Sequence, residues 1–180
     1  MDFKLLRHDW KILQKEGRTQ MEHAPILNKK RSKELDESLS LDEHGWVRGW
    51  TDDTNWLNYG LIYNYQYCLK NCEQCPESFE ILKKIVNLKK IFMMGFSLLK
   101  KGGEIPTHVD ENDISILDQY DIFHLTLSAA SEGCELHVMD QIMPHREGQL
   151  LRFQDIFPHS ARNKSNQDRI ILYVKIKKDS

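Results

Sequence analysis

The feature that most constrains this chain is a series of short apolar runs divided by turn formers, with a single clear helical pattern ahead of them. The runs are IFMMGFSLL at 91–99, DIFHLTLSA at 121–129, CELHVM at 134–139, GQLLRF at 148–153 and RIILYVKI at 169–176. Between them stand Lys101-Gly102-Gly103, Glu132-Gly133 and Glu147-Gly148, residues that favour reversals of the chain. Parallel α/β folds need a helix between successive strands, and none is patterned here. The helical pattern lies at roughly 77–87, where Pro76, Glu77 and Ser78 precede the apolar period of Phe79, Leu82, Ile85 and Val86. The expected fold is an all-β core with a flanking helix, a double-stranded β-helix or jelly roll of the cupin-like kind.

A chain of 180 residues with 40% hydrophobic content suits one domain with one buried core. Its start is expected near Trp46, because Trp46, Trp50, Trp56 and Tyr59 lead into LIYNYQY, which reads as a first strand. Residues 1–45 are rich in Lys, Glu, Asp and Ser, with apolar residues too sparse for a strong strand or long helix. They are expected to form a charged arm or lid beside a jelly-roll domain at 46–180. Within the arm, Lys29–Glu37 alternates basic and acidic blocks, which fits a solvated loop or short helix better than a docking segment.

A formal net charge of −2 offers no basic excess to neutralise phosphates, so nucleic acid is not the expected partner. The first residues lack an apolar signal core, and no stretch approaches the ~18 consecutive apolar residues of a membrane span. The expectation is a soluble, cytoplasmic protein. Its cysteines should then be mostly reduced thiols. Three of them, Cys68, Cys72 and Cys75, are spaced C-x3-C-x2-C, as in some cluster-binding enzymes. Those are larger barrels, and too little chain follows Cys75 for most of a ~200-residue barrel. Three thiols around a helix start is the preferred reading.

Chemistry is carried by Thr107-His108-Val109-Asp110 and, later, Phe157-Pro158-His159. On an extended strand His108 and Asp110 share a face, and a histidine from a later strand can complete the set. Two imidazoles and one carboxylate on one face of iron(II) leave positions open for a chelating cosubstrate and dioxygen, whereas zinc more often takes a closed tetrahedral set. With eight histidines in the chain, H-x-D alone is weak evidence. Arg169 strengthens it. In the last run Arg169, Ile171 and Tyr173 share one face, and Ile170, Leu172, Val174 and Ile176 share the other, which is core. A guanidinium looking into the barrel calls for an anion, and its fork matches the distal carboxylate of 2-oxoglutarate. An ordinary salt bridge to Asp155 or Asp168 is the alternative. On the strand at 121–128, His124, Thr126 and Ser128 form a polar face that lines the lumen if the barrel closes around a metal. Ser97, on a strongly apolar strand, needs a partner, either a bound cosubstrate or a backbone carbonyl. His137 and His145 are expected to be bystanders on the surface or in loops.

From Phe96 to Ile176 the sequence resembles the aspartyl/asparaginyl β-hydroxylase family, whose other members act on lipid A acyl chains and on free amino acids such as proline. The likeness rests on FSLL from Phe96, KGGEIPTH from Lys101 to His108, Glu132-Gly133-Cys134, and EGQLLRFQD from Glu147 to Asp155. It continues through Phe157-Pro158-His159 and RIILYV from Arg169 to Val174, with Cys75-Pro76 and ILKKI from Ile81 upstream. The resemblance implies that His108 and His159 are iron ligands, that Arg169 and Ser97 bind the distal carboxylate of 2-oxoglutarate, and that His124 lies near its metal-chelating end. Animal aspartyl hydroxylases differ in having glycine where Asp110 stands and arginine where Ile122 stands. These differences, and the missing secretory signal, argue against carrying over the epidermal-growth-factor-domain substrate.

The expected activity is hydroxylation of an aliphatic C–H bond with Fe(II), 2-oxoglutarate and dioxygen, releasing succinate and carbon dioxide. The primary substrate is left open among an amino acid, a peptide or protein side chain, and a lipid precursor. The alternatives are a non-catalytic metal-binding jelly roll, which has no need of Arg169, and a cupin-type enzyme that uses the same ligands without a cosubstrate.

Overall fold

The computed structural model describes residues 3–22, 46–48, 55–110 and 119–178. Within them the chain runs α1 (Phe3–Glu22), β1 (Val47–Arg48), β2 (Trp56–Tyr63), β3 (Gln66–Tyr67), α2 (Leu69–Gln74), α3 (Pro76–Ile85) and a 3-10 turn (Leu88–Lys90). It continues with β4 (Ile91–Leu99), β5 (Glu104–His108), β6 (Tyr120–Ser128), β7 (Cys134–Val138), β8 (Gln141–Pro144), β9 (Leu150–Phe153), β10 (His159–Asn163) and β11 (Arg169–Lys177). The larger sheet has the order β1-β2-β4-β11-β6-β9, with β3 added to β2, and the smaller has β5-β10-β7-β8. All pairings are antiparallel. The fold is a double-stranded β-helix with helices on the outer face of the larger sheet.

The five apolar runs became β4, β6, β7, β9 and β11. Strands β5, β8 and β10 carry no such run. In β5 (EIPTH) only Ile105 is buried, and β8 (QIMP) is an edge strand with no fully buried residue. In β10 the buried positions are filled by His159, Ser160, Ala161 and Asn163, so burial there is not accompanied by hydrophobicity.

The main core lies between the larger sheet and the helices. Phe96 and Leu98 of β4, Phe123, Leu125 and Leu127 of β6, and Ile170, Leu172 and Val174 of β11 meet Leu13 of α1 and Ile81 and Leu82 of α3. Burying each such side chain contributes roughly 1.5–3 kcal/mol. A smaller cluster of Ile122, Leu136, Val138, Leu151 and Phe153 packs between the two sheets. Gly95 is required where β2 crosses β4, because a Cβ there would lie 2.2 Å from the Tyr59 carbonyl oxygen.

Helix α1 departs from the expectation that residues 1–45 hold no long helix. Its buried stripe is Leu13, Gln14, Gly17 and Gln20, a helical spacing in which only one residue is strongly apolar. The other positions are buried by specific contacts. The Gln14 side-chain amide donates to the Leu127 carbonyl, and Gly17 lets the helix approach Leu127 and Phe96. The Trp46 indole donates to the Gln20 carbonyl at 2.9 Å. Glu16 accepts from the backbone N–H groups of Glu77 and Ser78 at 3.0 and 2.6 Å, capping α3 where Cys75 provides no side-chain cap. The charged Lys29–Glu37 segment and Trp50 lie outside the described residues. No described helix is long and apolar enough to cross a membrane.

Candidate active site

His108 ends β5 and His159 begins β10, and the two are register partners in the smaller sheet. Their rings lie 4.2 Å apart between centroids. Asp110 is beyond the end of β5, in a bend, so the shared face of one strand does not place it. Its backbone N–H donates to the Asp155 carbonyl at 3.2 Å, which turns the chain back toward the histidines. Asp110 Oδ1 is 3.2 Å from His108 Nε2, and Oδ2 is 3.9 Å from His159 Nε2. One ligand atom from each residue lies within 4.8 Å of the others, a grouping that can hold a metal ion.

Both rings are oriented by the same local device. His108 Nδ1 is 2.7 Å from the Pro106 carbonyl oxygen and His159 Nδ1 is 2.9 Å from that of Phe157. A carbonyl only accepts, so each Nδ1 carries a proton, and Nε2 is the atom that faces the shared centre and can serve as a ligand once it is deprotonated. Burial disfavours charge on His108, but its bonds to Asp110 and Pro106 outweigh this and raise its pKa. Burial opposes ionisation of Asp110 too, yet His108 and His159 hold it below the usual carboxylate value. Burial lowers His159. Two imidazoles and an ionised carboxylate are a donor set that fits a divalent transition metal with open positions.

Arg169 begins β11 and is 1% exposed. Among the described residues no carboxylate pairs with it: Asp155 pairs with Lys175, and Asp168 accepts from the Lys101 backbone N–H. Its Nε has no hydrogen-bond partner among the described residues, and burial pulls its pKa down to about 10. Thr126, in register with Ile171, likewise has a buried hydroxyl without a partner among the described residues. The Ser97 hydroxyl accepts from the Trp56 indole N–H at 2.9 Å, a partner that sequence reading did not supply.

His124 sits on β6 opposite Tyr173 of β11 and Leu151 of β9. Phe153 touches both it and His159, with ring centroids at 4.9 and 5.3 Å. Ser128 leaves the expected lumen row. The register of β6 slips opposite Ile170 and Ile171, and Arg18 of α1 reaches Ser128 at 3.3 Å.

His145 was expected to be a bystander, and here the structure corrects the reading. It is 1% exposed, with Nδ1 3.4 Å from Arg169 Nη1 and Nε2 3.4 Å from His124 Nδ1. Burial, then the guanidinium and His124, hold its pKa well below the ordinary value, and burial and Arg169 push His124 down to about 3. No local pattern marked it, since it stands in the loop before Glu147-Gly148 and is brought inward only by tertiary contact. His137, by contrast, is half-buried on β7 and paired with Glu135 at 2.9 Å.

The cysteines are free thiols. Burial pushes Cys72 up to about 11 and Cys75 up to about 12, which makes them poor nucleophiles at neutral pH.

Three relatives show how far the likeness extends. An uncharacterized protein of Acanthamoeba polyphaga mimivirus is 28% identical over 72% of this chain and 46% of its own length. Human aspartate beta-hydroxylase domain-containing protein 2 is 27% identical over 93% of this chain and 44% of its own. The ornithine lipid ester-linked acyl 2-hydroxylase of Rhizobium tropici is 24% identical over 71% of this chain and 43% of its own. The chain thus spans less than half the length of these relatives. The family model described as aspartyl/asparaginyl beta-hydroxylase matches residues 7–179, from within α1 to just past β11. A match over that span includes the helix that covers the sheet as well as the barrel that holds the histidines, and the chain belongs to the aspartyl/asparaginyl beta-hydroxylase family.

Proposed function

We propose that this protein is an iron(II)- and 2-oxoglutarate-dependent hydroxylase with His108, Asp110 and His159 as metal ligands. The observation that carries the reading is Arg169, a buried guanidinium with no carboxylate partner among the described residues, within the same barrel as an open His/Asp/His set. Leaving such a group without an anion is costly, and its fork suits one end of a small dicarboxylate. The membership of a hydroxylase family supports the same reading. A ferrous ion in the triad supplies the activation of dioxygen.

Arg169 binds the distal carboxylate of 2-oxoglutarate, with the Ser97 hydroxyl as a second donor once Trp56 has filled its acceptor side. His124 holds the cosubstrate near its keto acid end. The buried cluster of Ile122, Leu136, Val138, Leu151 and Phe153 excludes water from the space between the sheets. In balance, one C–H bond, dioxygen and 2-oxoglutarate give one C–OH group, succinate and carbon dioxide. The substrate is an aliphatic C–H bond of an amino acid, a peptide or protein side chain, or a lipid-like molecule.

The test is succinate formation by the purified chain under oxygen with added iron(II) and 2-oxoglutarate, followed by hydroxylation across those three substrate classes. Iron-dependent succinate release that falls in the Arg169→Ala protein is the expected result. Tight metal binding with no consumption of 2-oxoglutarate overturns the reading and favours a metal-binding module or a cosubstrate-free enzyme.

A further inference from the structure

The buried imidazole of His145 belongs to no element of the reading above, and its contacts give it a task. Arg169 can only donate, so at 3.4 Å from its Nη1 the Nδ1 of His145 is an acceptor. A neutral imidazole with an accepting Nδ1 carries its proton on Nε2, and that atom lies 3.4 Å from His124 Nδ1. His145 therefore donates to His124, whose own proton is placed on Nε2. The two ring planes are only 22° apart with centroids at 5.6 Å, so the rings meet edge to edge and nearly coplanar, as an in-plane N–H···N bond requires. Burial disfavours the charged form of both rings, in keeping with a neutral chain.

We infer that His145 is a positioning residue: one ring joins Arg169 to His124, fixing the direction of the guanidinium and the tautomer of His124 at opposite ends of the cosubstrate site. The inference rests on the cosubstrate reading above and extends it to a residue that does not itself bind the metal. The bridge uses one Nη1 hydrogen and leaves Nε, which has no partner among the described residues, to meet a carboxylate. It also makes His124 a donor, through Nε2–H, toward any anionic oxygen it faces. Two ends of a dicarboxylate are thereby matched by donors whose orientations are coupled through a single side chain.

Two measurements test this on the full chain. The first is long-range 1H–15N correlation of 15N-histidine-labelled, metal-free protein, which reads tautomers without turnover. His145 and His124 are both expected as neutral Nε2–H forms, and an Nδ1–H tautomer of His145 overturns the bridge. The second is titration of 2-oxoglutarate into zinc-loaded wild type, Arg169→Ala, His145→Phe and His145→Asn. His145→Phe should weaken binding about 3- to 10-fold, as expected for loss of one ordinary hydrogen bond. His145→Asn, whose amide oxygen can take the place of Nδ1, should recover most of the loss. In turnover the KM for 2-oxoglutarate should rise in His145→Phe while kcat is retained. Zinc affinity and melting temperature of His145→Asn should match wild type. Unchanged 2-oxoglutarate binding in a folded His145→Phe, alongside weakened binding in Arg169→Ala, overturns the positioning role alone. No difference between wild type and Arg169→Ala overturns the cosubstrate reading instead, and the tautomers still decide whether the bridge exists.

Discussion

The two faces of β11 are built on opposite terms. Toward the helices, Ile170, Leu172, Val174 and Ile176 join a single apolar core. On the other face the same strand carries Arg169, Ile171, Tyr173 and Lys175, and two of those four positions are cationic. Lys175 is neutralised by Asp155 and lies over Phe92 and Tyr120, 5.5 and 5.3 Å from the ring centroids. Arg169 has neither a carboxylate nor a partner for Nε among the described residues. Apolar burial explains the outer face fully. The inner face carries charge that apolar packing does not require, and it is the side of the strand on which the proposed cosubstrate site lies.

The sharpest break in this comparison comes at the proposed metal ligands. Removing His159 takes away one of three protein donors and should abolish iron-dependent succinate formation, with His108→Ala equally severe and Asp110→Ala nearly so. Iron content and turnover measured on folded protein check this, and full activity in either histidine variant would remove the metal assignment.

On the outer face the effect should be on folding instead. Leu172, 1% exposed, sits in the middle of the main core, and Leu172→Ala should cost about 2–5 kcal/mol of stability. Chemical denaturation measures the loss, and turnover per folded molecule should be unchanged.

Arg169→Ala should do the reverse. Loss of a charge-assisted bidentate contact of ~1.5–3 kcal/mol raises the KM for 2-oxoglutarate about 10- to 100-fold, with iron binding intact. Arg169→Lys, which keeps the charge and loses the fork, should fall between. The melting temperature should not drop as it does for Leu172→Ala, because replacing a buried, unpaired charge relieves a desolvation penalty. A large stability loss without any change in cosubstrate dependence would return Arg169 to a structural role.

Smaller effects are expected at the thiols on the helix side. Cys72→Ser and Cys75→Ser should leave activity per folded molecule unchanged, as free, buried thiols away from the triad. Stoichiometric zinc or a cluster retained through these thiols would contradict that. Smallest of all should be the coupling between faces. Leu172 and Arg169 are ~10 Å apart along the strand and point to opposite sides, so their stability effects should add to within ~0.3–0.5 kcal/mol. A larger interaction in the double variant would mean that the inner face senses the outer core.

Much of this was legible from residues alone where hydrophobicity tracks burial. The alternation in RIILYVKI assigned both faces of β11, and the apolar runs placed β4, β6, β7 and β9. His108, Asp110, His159 and Arg169 were named from residue type, spacing and family resemblance, and the structure brings the first three together. The expectation weakened where burial depends on specific contacts. Helix α1 buries two glutamines and a glycine, so its apolar count concealed a packed helix. Strand β10 buries a serine and an asparagine, with Asn163 donating to the Leu99 and Gln167 carbonyls. Asp110 reaches the histidines through a backbone bond to Asp155, not through strand alternation.

The sequence by itself determined the β-rich class, the apolar face of each long strand and the residue types able to bind metal, because each is written in local periodicity or side-chain chemistry. Only the tertiary structure decided which polar groups are partnered. Trp56 meets Ser97 across 41 positions of chain, Arg18 meets Ser128 across 110, and His145 meets Arg169 across 24. Such pairings follow from sheet order and register, which arise from the packing of all the strands together, and no local pattern encodes them.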